Sequence, residues 1–180
     1  MLTENRFVQE GFSGIPDLLG KESFVGYFGE QKQLVAGGRY RPFSIITLAI
    51  ETELFGMDPT ANHFFNLLYY ALTVLFLYLV FFRLLASSRW NYFAATLPFV
   101  AAVIFAVHPI HTEAVANIKG RDEIFSLLFS LLAFWAFLKY YDWGDNKWLA
   151  GGAAAFFLAL LSKETAYAFV FLFPMGIFLF

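Results

Sequence analysis

Long uncharged stretches at 64–82, 90–107, 124–138, 148–162 and 165–180 alternate with short polar breaks along the second two-thirds of the chain. Runs of this length match the ~30 Å hydrocarbon core of a bilayer, which a helix of roughly 20 apolar residues crosses. The pattern predicts an all-α fold, a polytopic transmembrane helical bundle with spans at about 62–83, 90–108, 123–141, 147–162 and 165–180. Before it lies a more polar region, 1–60, punctuated by Gly11, Gly14, Pro16, Gly20, Gly26, Gly29 and Gly37-Gly38. Such spacing suits an external loop with short interfacial helices better than long ones. From Arg41-Pro42 onward Phe43, Ile46, Ile50 and Leu54 recur at helical spacing, so a helix is expected over about 42–55. Glu51 and Glu53 favour the membrane interface for it over a crossing.

Composition agrees with this division. The 180 residues are 59% hydrophobic and 21% aromatic but only 14% charged, and half of the charged positions precede Ala61. A formal charge of -2 implies no strongly acidic or basic partner, and no nucleic-acid footprint is visible. Without cysteine there is no disulfide, thiolate metal site or cysteine nucleophile. The N-terminal residues lack a basic, then apolar, signal segment, and the last apolar run stops before a polar flank. The chain therefore reads as a fragment.

Counting crossings from residue 64 puts 1–63, 108–123 and the neighbourhood of 162–164 on one face. Trp90, Tyr92, Tyr140, Tyr141, Trp143 and Trp148 flank the opposite loops, as an interfacial aromatic belt does. Lys and Arg counts do not fix the absolute orientation, because the two faces nearly balance unless the N-terminal region is included. Three polar clusters meet on the first face: 108–113 (HPIHTE), 119–123 (KGRDE) and 162–164 (SKE).

Lys163 and Glu164 fall inside the near-face part of the hydrocarbon layer, at about 22 Å of helix rise from Trp148. They read either as a snorkelling pair at a helix break or as charges facing a polar cavity. Asp122 and Glu123 begin a helix, where its dipole favours acids, whereas Arg121 there has no such explanation. His108, His111 and Glu113 have no zinc-protease or CxxC companion, and suit orientation of an acceptor or proton relay as well as interface packing. Arg39 and Arg41 flank Tyr40 and offer guanidinium forks to phosphate, from lipid headgroups or from a donor.

The runs 38–42 (GRYRP), 62–68 (NHFFNLL), 108–115 (HPIHTEAV), 120–123 (GRDE) and 161–164 (LSKE) together resemble transmembrane and tetratricopeptide-repeat-containing O-mannosyltransferases and their bacterial relatives. The resemblance extends from about Asn5 to Glu164. It implies a C-type membrane glycosyltransferase that takes a mannose-like monosaccharide from a polyprenyl-phosphate carrier and passes it, with inversion, to a protein or glycan acceptor. It also implies a periplasmic or lumenal motif face, here that of a bacterial inner membrane, and tetratricopeptide repeats in the full-length protein. Arg39, Arg41, Arg121 and Lys163 then become the expected donor-phosphate ligands. His108, His111, Glu113, Asp122 and Glu164 would support the acceptor or a divalent cation bridging the phosphate, the one cofactor option. The family's catalytic carboxylate follows an earlier helix, upstream of Met1, so no catalytic base is assigned. A transporter component and a non-catalytic membrane scaffold are the alternatives from other classes.

Overall fold

The structure, a computed structural model, describes residues 5–21, 25–28, 40–86 and 96–179. Among these residues every regular element is helical and none is a strand, as the sequence pattern requires.

Three short helices, α1 (Arg6–Gln9), α2 (Ile15–Gly20) and α3 (Val25–Phe28), lie before the first substantial one, α4 (Pro42–Phe55). Helices this short do not persist alone, because nucleation outweighs the few bonds gained. Burial holds them: Phe7, Val8 and Leu18 pack against Ile45, Leu48 and Ala49 of α4. Asn5 caps α1 by accepting the Phe7 N–H at 3.0 Å.

Helix α4 starts with Pro42 in its first turn, where the missing N–H is no loss, and ends at Gly56 with φ 71. Its buried side is not the stripe of Phe43, Ile46, Ile50 and Leu54. Those four are half-buried or exposed, and the inward face is Ser44, Ile45, Leu48, Ala49 and Glu51. Both sides of this helix are apolar enough to be covered. Its few polar groups decide the rotation by turning toward partners inside the protein.

Among the described residues, helices α5 (Pro59–Ala86) and α8 (Arg121–Trp143) coincide with the two segments long and apolar enough to cross a membrane, Pro59–Leu85 and Ile118–Trp143. The best window of the first is 22% buried and that of the second 56%, so α8 is the central helix and α5 presents more of its surface outward. Around them lie α6 (Thr96–Val107), α7 (His111–Ala116), α9 (Asn146–Ser162) and α10 (Ala168–Leu179). The core joins Leu77 and Val80 of α5 to Leu131, Phe134 and Leu138 of α8, with Phe105 and Phe173 packed against them.

Side-chain ties at both ends show that α5 and α8 run in the same direction. Arg121 at the start of α8 bonds Asn66 and the Asn62 carbonyl near the start of α5, and Arg83 bonds Asp142 near both ends. Tyr70 donates to the carbonyls of Phe105 and Ala106, both at 3.1 Å, which brings the end of α6 back beside the first half of α5. Helix α9 returns antiparallel along α8 after Gly144, whose left-handed φ of 66 ends α8, and Asp145, which caps the next helix by accepting the Lys147 N–H at 3.0 Å. One end of the bundle thus collects the end of α6, α7, the start of α8 and the end of α9. Tyr141 and Trp143 stand exposed near the other end, while Trp90 and Tyr92 lie outside the described residues.

Candidate functional site

At the collecting end a cleft of about 640 Å³ is lined by Arg41, His111, Glu113, Asp122, Glu123 and Lys163, among others. Each reaches it for a local reason. Arg41 immediately precedes α4 with non-helical backbone, φ -134 and ψ 65, in keeping with the bar that Pro42 sets against helix at its predecessor. His108 ends α6, the turn through Pro109 and Ile110 starts α7, and His111 and Glu113 follow in its first turn. Asp122 and Glu123 occupy the first turn of α8, where the helix dipole supports acids. Lys163 is extended, with φ -161 and ψ 143, and breaks the chain between α9 and a 3₁₀ turn at Glu164–Tyr167.

Among the described residues three cations line the cleft, Arg41, Lys119 and Lys163, and Arg41 and Lys163 are paired with carboxylates. Arg41 donates from Nη1 to Asp122 Oδ2 at 2.6 Å, and from Nε and Nη2 to the two oxygens of Glu164 at 3.1 and 2.5 Å. Lys163 pairs with Glu123. The hydrogen bonds from Arg41 hold the Glu164 carboxyl below its ordinary value of 4.5, although the group is largely exposed. A carboxylate depressed in the folded state contributes stability above its ordinary value and loses that contribution as the pH falls through the depressed one. The thermal midpoint of the wild type should therefore drop modestly between pH 4.5 and more acid conditions, and Glu164→Gln should flatten that segment of the profile.

Arg121, expected to meet phosphate, does not line the cleft. It is 0% exposed and its guanidinium is committed on every nitrogen. Nε donates to Asn66 Oδ1 at 2.7 Å, Nη1 to Glu51 Oε1 at 2.7 Å and Thr47 at 3.3 Å, and Nη2 to the Asn62 carbonyl at 3.1 Å. The guanidinium also lies 5.5 Å from the Tyr69 ring centre. Arg121 thus ties α4, α5 and α8 together beneath the cleft instead of facing it.

The remaining expected residues divide. His111 and Glu113 reach the cleft, but His108 does not line it; its Nδ1 accepts the Ile110 N–H at 3.2 Å. Burial, aided by His108, holds the His111 imidazole below its ordinary 6.5, which favours the neutral ring. Glu164 serves Arg41 without lining the cleft, and Arg39 lies outside the described residues. Among the described residues no three His, Asp or Glu side chains form a metal-ligating group, which gives the divalent-cation expectation no ligand set. Sequence reasoning gave no role to Glu51, Thr47 or Asn66. The signal for Glu51 was its place three residues after Leu48 on one side of α4.

Beneath the polar cleft lies a smaller chamber of about 260 Å³, walled chiefly by Tyr70, Phe105, Ile124, Leu127 and Phe169. His111, Ala114 and Glu123 line both spaces. A tight joint between α7 and α8 fixes this border. A Cβ on Gly120 would stand 2.5 Å from the Ala114 carbonyl oxygen and 2.6 Å from its Cα, both backbone atoms. Gly120→Ala should destabilise the protein by about 1–3 kcal/mol in a thermal or denaturant melt, because α7 has to move to admit the methyl group.

Residues 42–180 match the family described as dolichyl-phosphate-mannose-protein mannosyltransferase, a segment that holds nearly all of this cleft. The chain belongs to that family. It is 38% identical over 105 residues to Protein O-mannosyl-transferase TMTC1 of Homo sapiens, an alignment that covers 58% of this chain and 11% of that protein. For the TMTC1 protein of Mus musculus the identity is 35% over 136 residues, with 70% and 14% covered. Protein O-mannosyl-transferase Tmtc2 of Drosophila melanogaster is 34% identical over 137 residues, with 72% and 14% covered. The chain thus spans 11–14% of the length of these mannosyltransferase relatives. No solved structure matches it.

Proposed function

We propose that this chain forms the donor side of an integral-membrane glycosyltransferase, which moves a mannose-like monosaccharide from a polyprenyl-phosphate carrier to a hydroxyl of a protein or glycan acceptor. The observation that carries the reading is the juxtaposition of a cleft holding Arg41 and Lys163 with an apolar chamber that opens beside it. A lipid-linked sugar phosphate has those two chemistries in that order, an anionic head and a hydrocarbon tail. Family membership supports the same assignment.

In the proposed reaction the acceptor oxygen forms a bond to the anomeric carbon while the bond from that carbon to the phosphate oxygen breaks, and the electron pair leaves with the polyprenyl phosphate. Arg41 and Lys163 stabilise the charge that grows on the departing phosphate. Glu113 and neutral His111 orient the acceptor hydroxyl from the cleft wall. Its proton passes to a base that no residue of this chain is assigned to supply. The motif face is the external one, periplasmic in a bacterial inner membrane.

Donor competition tests the reading. Membranes containing the full-length protein are supplied with radiolabelled mannose either as a polyprenyl phosphate or as a nucleotide sugar, after depletion of endogenous lipid carriers. Transfer from the lipid-linked donor alone is the expected result. Direct use of the nucleotide sugar, or no transfer from either by protein that remains folded, would overturn it.

A further inference from the structure

Asp122 and Glu123 are adjacent, carry the same charge and line the same cleft, yet their surroundings differ in three ways. Asp122 is 14% exposed and held from two directions: Oδ2 accepts from Arg41 at 2.6 Å and Oδ1 from the Glu123 N–H at 2.9 Å. Glu123 is 50% exposed, and its carboxylate pairs with the Lys163 ammonium, which is 16% exposed. Glu123, unlike Asp122, also lines the apolar chamber, so its side chain stands at the border where the polar and apolar spaces meet.

We infer that the two carboxylates play opposite parts in donor binding: Asp122 is a fixed positioning residue for Arg41, and Glu123 is an exchangeable counter-ion that the donor phosphate displaces from Lys163. The inference rests on the donor-site reading above and adds to it the step by which a filled cleft admits its anion. The pair is open on its Glu123 side, and a phosphate oxygen offers Lys163 an equivalent partner at the same place. Moving Glu123 also clears the border, so that a chain attached to the phosphate can lie in the chamber while its head remains in the cleft. Asp122 cannot be exchanged in this way without freeing Arg41 from the start of α8.

The sign of two conservative substitutions separates this arrangement from a general field effect. Removing one negative charge near an anion site tightens binding wherever the charge sits, so a field effect alone predicts that Asp122→Asn and Glu123→Gln act alike. Displacement plus anchoring predicts opposite signs. The probe is citronellyl phosphate, a short isoprenyl monophosphate, titrated into the full-length protein in lipid nanodiscs and followed by calorimetry, with inorganic phosphate as a tail-less comparison.

Glu123→Gln should bind citronellyl phosphate roughly two- to fivefold more tightly than wild type, the range set by the strength of a partly exposed ion pair. Its gain for inorganic phosphate should be smaller, since no chain needs the border cleared. Asp122→Asn should bind the same probe about tenfold more weakly, as loss of an orienting partner does at other charged sites, with the donor KM raised more than kcat is lowered. Equal signs for the two variants, or weaker binding by a folded Glu123→Gln protein, overturn the inference. Wild-type binding that survives Arg41→Ala with Lys163→Ala overturns instead the donor-site reading on which it rests. Thermal midpoints of each variant establish that the affinities compare folded proteins.

Discussion

Arg121→Ala is expected to destabilise the protein by about 3–5 kcal/mol, because it leaves a buried carboxylate without its partner. Glu51 is 4% exposed and its Oε1 depends on Arg121 at 2.7 Å. Three further acceptors, Asn66 Oδ1, Thr47 Oγ1 and the Asn62 carbonyl, lose a charged donor at once. Lysine keeps the charge but has one ammonium in place of a planar fork that serves α4 and α5 together, so Arg121→Lys should recover little. Removing the pair as a whole differs in kind. Arg121→Met with Glu51→Leu deletes both charges, and should regain much of the loss although neither single change does. The measurement is a denaturant or thermal melt in detergent of the wild type, the four single variants and the double variant. Should Arg121→Ala keep its stability while donor affinity collapses, Arg121 would be a phosphate ligand and the clamp assignment would be wrong.

That contrast marks where the sequence was legible. Helix starts were readable because their causes are local: Pro42 in a first turn, Gly120 before Arg121, and acids at Asp122 and Glu123. The meeting of the three polar clusters followed from counting passes through apolar chain, a long-range result obtained from lengths alone. The buried side of α4 was not readable from hydrophobicity. In a chain this apolar, Ile46 and Ile50 fit lipid or protein equally well, and the rotation follows Thr47 and Glu51, which both accept from Arg121. Arg121 misled for the same reason. Its charge and its place in a polar cluster pointed to the cleft, whereas the hydrogen-bond acceptors able to enclose it lie 55 to 74 residues earlier in the chain. Pairing of Arg41 with a carboxylate was likewise invisible, since Arg41 and Glu164 are 123 residues apart.

Substituting two of the cleft cations, Arg41→Ala with Lys163→Ala, should lower transfer from a polyprenyl-phosphate donor by roughly 10²–10³-fold or more, the scale on which a preorganised donor to developing negative charge acts. The two are not equivalent. Arg41 offers a fork already aligned by Asp122, so Arg41→Lys should restore charge without geometry and remain well below wild type. Lys163 acts as a point charge, and Lys163→Arg should retain more activity than Arg41→Lys. A loss confined to binding would appear in KM alone, while stabilisation of the leaving phosphate must appear in kcat. The expected pattern for the double variant is a fall in kcat together with a rise in KM, because the same two groups bind the donor and stabilise its leaving phosphate. Stability has to be followed in parallel, since Arg41 also joins Asp122 to Glu164, but both of those partners are less buried than Glu51 and tolerate its loss better than Glu51 tolerates the loss of Arg121. A folded double variant that transfers mannose at the wild-type rate would remove the cleft from the reaction, whatever the family membership implies for the rest of the protein.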